Sequence, residues 1–192
     1  MSRLAARGSR LARAGRPGAW TGALVGIALL AGGCSMPERA AEVGKAAPAY
    51  EAATLDGERV TLASLKGEVV MLNVWATWCP PCVREMPSLQ ALHDELQPHG
   101  FRVVAVSVDR PGAGGQIRDF LVEHDISFDI LHDPGKDIAR RFQTIGLPET
   151  FLIDRDGVVR YHWIGMIDTN TPRVRNPVMA ALRGDPVTTA GR

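Results

Sequence analysis

The sequence predicts an α/β domain built on a central sheet flanked by helices. Three observations predict it. Val69–Trp75 is apolar throughout except for Asn73, the pattern of a strand buried on both faces, as in a parallel sheet. A helical pattern follows directly, with Met86, Leu89, Leu92 or His93, and Leu96 recurring every three or four residues. Residues 101–108 then read as a second parallel-type strand.

The elements follow in order. Asp56-Gly57 lies between two segments bearing Val, Thr and Leu, 50–55 and 59–62, and Asp-Gly favours a hairpin turn. Lys66-Gly67 turns the chain into the first central strand. The long helix is expected over 81–97. Pro80 and Pro81 suit its start, where missing N–H groups cost little. Pro87 should kink it, and Pro98 and Gly100 should end it. Residues 109–115 form a glycine-rich loop without G-x-x-x-x-G-K-[ST], so no phosphate site is read there. A helix over 116–124 carries Ile117, Phe120 and Leu121 on one face. A short strand at 128–131, a turn at Asp133-Pro134-Gly135 and a short helix at 136–142 come next. A strand at 149–153 leads through the turn Asp154-Arg155-Asp156-Gly157 into 158–164. Asn176-Pro177 is expected to cap a last short helix that Gly184 ends. The tail 186–192 reads as loose.

Chemistry points to the junction of the first central strand and the long helix. It reads W-A-T-W-C-P-P-C-V-R-E-M-P over residues 75–87. Cys79 and Cys82, with two prolines between them, stand at the helix start, where free N–H groups and the positive end of the dipole favour an anion. The thiolate is the nucleophile of disulfide exchange, so Cys79 is the candidate attacking sulfur, and Cys82, one turn in, can close a disulfide with it. The competing readings are half a zinc site and an inert structural disulfide. Zinc needs about four ligands. The chain has three cysteines and five histidines (His93, His99, His124, His132, His162), without ligand spacing; these histidines are read as surface or turn residues. No metal and no cofactor is expected. Trp75, at the end of the strand, is read as core, and Trp78, beside the thiol, as contact surface.

Glu85 lies three residues after Cys82, on the same helix face. One reading makes it a proton carrier for Cys82. The other makes it a surface acid in the first turn, worth only ~0.3–1 kcal/mol to stability through the dipole.

Residues 69–87 (V-V-M-L-N-V-W-A-T-W-C-P-P-C-V-R-E-M-P) and 146–154 (G-L-P-E-T-F-L-I-D) together resemble the thioredoxins. With their flanks they look most like the TlpA-like branch, which includes the cytochrome c maturation thioredoxins. The resemblance covers about residues 43–165. It implies a thioredoxin-like fold with a central mixed sheet, an N-terminal hairpin and a helix–strand insert. It also implies a cis-proline at Pro148, preceded by Leu147 and facing the cysteine pair; together with Trp78, Pro80 and Pro81 these would face substrate. The family's proton-moving aspartate is replaced by Asn73, which cannot ionise, whereas TlpA-like proteins use a glutamate at the spacing of Glu85. Asn73 itself is read as a satisfied buried amide. The implied activity is thiol–disulfide exchange with protein substrates. Apocytochrome c, with its C-x-x-C-H site, is an implied substrate, and a membrane thiol donor an implied source of electrons.

The start of the chain bears on location. Arg3, Arg7, Arg10, Arg13 and Arg16 precede a short apolar run, 19–31, which reads as a secretory signal. The run ends in L-L-A-G-G-C, which resembles a bacterial lipoprotein signal, although Ala31 stands where a larger aliphatic residue is usual. Residues 1–33 would then be removed, Cys34 lipidated, and 34–45 would tether a domain spanning 46–185 to the membrane, on the periplasmic side. An uncleaved N-terminal anchor is the alternative. Removal of 1–33 takes five of 22 basic residues and none of 21 acidic ones, leaving a net charge of −4. A mildly acidic domain argues against nucleic acid as a partner. A monomer is expected.

Two other functions compete. A peroxiredoxin-like peroxidase would use a lone cysteine in a P-x-x-x-[TS]-x-x-C setting, and no proline stands at the required place before Cys79. A copper-binding thioredoxin-like protein would use both sulfurs as soft ligands, with Met86 as the near third.

Overall fold

A computed structural model describes residues 41–186. Cys34, the cleavage point and all but the first residue of the tail 186–192 lie outside the described residues.

The first hairpin forms around Asp56-Gly57, joining β1 (Glu51–Thr54) to β2 (Arg59–Thr61). Next come β3 (Val69–Trp75), every residue of it buried, and α1 (Pro80–Leu96). The chain continues through β4 (Phe101–Ser107), α2 (Gly114–Glu123), β5 (Asp129–His132) and α3 (Asp137–Phe142). It ends with β6 (Glu149–Ile153), β7 (Val159–Ile164) and α4 (Pro172–Arg183). The sheet order is β2-β1-β5-β4-β3-β6-β7. The central β3, β4 and β5 are parallel, and the remaining pairings are antiparallel, so the sheet is mixed. This is the thioredoxin-like α/β fold, with the hairpin and the α2–β5 insert that the sequence implied.

Parallel pairing explains the composition of the centre. Strands β3 and β4 are covered on both faces, so Val70, Met71, Leu72, Val103 and Val104 fill both sides of the sheet. Helix α1 packs on β4, and α4 packs against β3, β6 and β7. The Arg175–Glu95 ion pair ties α4 to α1. Pro87 lies inside α1, which nevertheless continues to Leu96.

Three expectations change. Helix α4 starts at Pro172, with Thr171 in the extended N-cap conformation, so Asn176 caps nothing and Pro177 sits inside the helix. The carbonyl that Pro177 leaves without an N–H partner belongs to exposed Arg173, within reach of water. His93 is buried, not a surface residue: its Nδ1 accepts a 3.3 Å hydrogen bond from Val103 N, and desolvation pushes its pKa below the ordinary value. Asn73 is only half satisfied, because its Oδ1 is buried without a partner. The described end of the expected tether also pairs with the domain, with Gly44 N donating to Val159 O and Lys45 O accepting from Val159 N.

Candidate active site

The parallel register sends β3, β4 and β5 to one end of the sheet. Trp75 pairs with Ser107, and Ser107 with His132. Strand β6 runs the other way, with Val74 opposite Glu149, so Pro148 enters the sheet at the level where β3 gives way to the cysteine turn. Strand β7 returns to the same end, pairing Ile164 with Glu149.

At this end Cys79 and Cys82 form a disulfide, with Cα atoms 5.3 Å apart. Cys79 is the N-cap of α1, in extended conformation. Pro80 and Pro81 carry no N–H, so the first helical donor is Cys82 N, and it points at Cys79 Sγ from 3.4 Å. Cys82 is fully buried, and Cys79 keeps a sliver of exposure, 4 %. Trp78 is 63 % exposed beside it, and Trp75 is wholly buried against Phe120. Pro80 is exposed, Pro81 and Leu147 half-buried, and Pro148 buried. The Leu147–Pro148 bond is cis. Next to it Gly165 donates its N–H to Pro148 O at 2.9 Å with φ +83°, a conformation open to glycine and strained for other residues. Ile145, Ile164 and Met166 are exposed around this end, so the disulfide sits in an apolar surround.

Glu85 is not a surface acid. It is 1 % exposed, beyond the first turn of α1. Its Oε1 accepts from Asn73 Nδ2 at 2.8 Å, and its Oε2 from Ile167 N at 2.9 Å. Asn73 Nδ2 also donates to Thr150 Oγ1 at 2.9 Å. Burial pushes the Glu85 pKa up to about 7, against the pull of the two hydrogen bonds, which favour the charged form. A carboxyl poised near neutrality can hold or release a proton at physiological pH.

A second buried carboxyl went unread in the sequence. Glu149 is fully buried; its Oε1 accepts from Ile145 N and from Gly146 N, at 2.5 and 3.0 Å. Its Oε2 meets His162 Nε2 at 2.9 Å, and that ring stacks on Phe151. The residue thus ties down the loop leading to Pro148. The available signal was an acid opening an otherwise apolar strand in P-E-T-F-L-I.

Comparison with known proteins fits this geometry. The family model described as "AhpC/TSA family" matches residues 43–162. The chain belongs to the AhpC/TSA family. Within it the similarity is to thiol–disulfide oxidoreductases. The chain is 36% identical over 135 residues to "Thiol-disulfide oxidoreductase ResA" of Bacillus cereus, covering 70% of this chain and 76% of that protein. It is 36% identical over 132 residues to "Thioredoxin-like protein YneN" of Bacillus subtilis, covering 68% and 76%. A crystal structure of a candidate thiol:disulfide interchange protein DsbE from Chlorobium tepidum superposes with a TM-score of 0.68. That match has 31% identity and covers 73% of this chain and 98% of the other. This AhpC/TSA-family member is therefore a thiol–disulfide oxidoreductase of the TlpA-like kind.

Proposed function

We propose that the chain is a reductant of protein disulfides held on the periplasmic side of a bacterial membrane by a lipid on Cys34. The observation that carries the chemistry is the Cys79–Cys82 pair at the start of α1, with Cys82 N aimed at Cys79 Sγ and the buried Glu85 one turn beyond.

In the reduced protein the Cys79 thiolate attacks one sulfur of a substrate disulfide. A Cys79–substrate disulfide forms, and the other substrate sulfur leaves as a thiolate that takes a proton from solvent. Cys82 then gives its proton to the Glu85 carboxylate and attacks Cys79 Sγ. The substrate's second thiolate is released and protonated, and Cys79–Cys82 is oxidised. Two electrons pass to the substrate, and a membrane thiol donor returns them to the pair. Trp78, Pro80, Pro81, Leu147 and Pro148 face the substrate. Apocytochrome c, which carries a C-x-x-C-H pair, is the substrate proposed first. The Arg-rich, apolar start ending at Cys34 supports the location. Among the described residues no helix is long and apolar enough to cross a membrane.

Reduction of a model protein disulfide by the purified protein, recharged with a dithiol, tests the activity. Loss of turnover in Cys79→Ser is expected, and full turnover in that variant would refute the reading.

A further inference from the structure

The turn that delivers Cys79 to α1 is gripped from the side by a residue of the neighbouring strand end. Asp109 follows β4 and is 2 % exposed. Its Oδ1 accepts from Thr77 Oγ1 at 2.7 Å, and its Oδ2 from Thr77 N at 3.0 Å. Oδ2 also accepts from Ser107 Oγ at 2.8 Å, while Asp109 N donates back to that oxygen at 3.2 Å. The backbone is fixed as well, because Val108 N donates to Trp75 O at 2.9 Å and His132 Nε2 lies 3.1 Å from Asp109 O.

Thr77 is two residues before the sulfur and lies inside the turn closed by Cys79 N donating to Ala76 O at 3.1 Å. Both of its polar donors go to one carboxylate. We propose that Asp109 is a positioning residue for the attacking cysteine: by clamping Thr77 it fixes the turn 76–79, and so places Cys79 Sγ against the helix start and Trp78 outward.

The physical consequence lies in the sulfur. The thiolate is stabilised by Cys82 N and the dipole only while Sγ stays at the helix end, and the dipole's influence falls off within about the first turn. A looser turn lets Sγ drift from that position. The thiolate then becomes less stable and less often aligned for attack. Substrate binding at the 145–148 loop does not pass through Thr77.

The proposal rests on Cys79 being the attacking sulfur, and the test separates the two. Thr77→Val keeps the shape, the backbone N–H and the net charge, but removes the hydroxyl donor; Thr77→Ser keeps the donor. The thiolate of the reduced protein is followed by its ultraviolet absorbance across pH, and the reaction with a small aromatic disulfide by stopped flow. Thr77→Val is expected to raise the thiolate midpoint by about half a pH unit and slow attack roughly threefold below that midpoint, in line with the lost thiolate fraction. Thr77→Ser returns both toward wild type. In an Asp109→Ala background, where no side-chain partner is left for the hydroxyl, Thr77→Val should have little further effect, the mark of a coupled pair. Wild-type midpoint and rate in Thr77→Val, with only thermal stability reduced, would overturn the proposal and make the clamp structural. An undiminished Thr77→Val effect in the Asp109→Ala background would also overturn it. An inert wild-type protein, by contrast, would sink the proposed function itself.

Discussion

Asn73 on β3 donates a 2.8 Å hydrogen bond to the carboxyl of Glu85 on α1, so an amide that cannot ionise steadies an acid that can. The same amide reaches across to Thr150 on β6. The pair thus sets a carboxyl on the helix against a fixed donor on the strand. Burial holds the acid near neutrality, while Asn73 Nδ2 and Ile167 N favour its charged form.

The kinetic prediction concerns resolution of the mixed disulfide. Cys82 is fully buried, and desolvation disfavours its thiolate. A base should therefore matter for its attack. Glu85→Gln is expected to slow resolution above about pH 7, where the wild-type carboxyl is charged, by an amount within the ~10²–10⁴-fold range of general-base help. Single-turnover kinetics from pH 5 to 9 check it. Equal rates throughout would leave water as the base.

The stability prediction follows from the same burial. A carboxyl whose pKa is higher folded than unfolded binds its proton more tightly in the native state. Its favourable contribution is complete below about 4.5 and is lost as the pH rises through about 7. Glu85→Gln resembles the protonated acid at every pH. Its stability relative to wild type should be flat below pH 4.5 and should rise between pH 4.5 and 7, by up to about 3 kcal/mol. Urea unfolding of both proteins across that range measures the difference. This replaces the expectation of a small effect, which assumed an exposed first-turn acid.

Glu149 should govern substrate affinity more than chemistry. Glu149→Ala leaves Ile145 N and Gly146 N without their protein acceptor. The loop before Pro148 loosens, so KM for a protein disulfide should rise more than kcat falls. His162→Phe keeps a ring over Phe151 but takes the partner from Glu149 Oε2, and should act in the same direction more weakly. Steady-state kinetics with a folded disulfide substrate distinguish this from a uniform loss of activity.

What the sequence disclosed, and what it hid, follows the range of the interactions. The strand Val69–Trp75 and the strand Glu149–Ile153 were legible to the residue, because an apolar run bounded by turns is a local signal. The cysteine pair at a helix start was legible for the same reason. The burial of Glu85 was not, since Ile167, which covers it, is 82 residues away. Glu149 and His162 meet only because β6 and β7 pair, and nothing in their spacing of 13 announces it. The start of α4 was misplaced because Asn176-Pro177 looks like a cap, whereas Thr171-Pro172 one turn earlier serves as the true entry.

The anchoring prediction concerns Cys34. Mass spectrometry of the membrane fraction should find residues 1–33 absent and Cys34 acylated at the new N-terminus. Two or more acyl chains give stable anchoring where a single chain does not. An intact Met1 start would instead indicate an uncleaved anchor.

The central claim is the division of labour between the two sulfurs, and trapping tests it most directly. Cys82→Ser protein, reduced and mixed with a disulfide substrate, should accumulate a covalent complex joined through Cys79, while Cys79→Ser should form none. A complex that accumulates through Cys82 in Cys79→Ser, with Cys82→Ser forming none, would contradict the account.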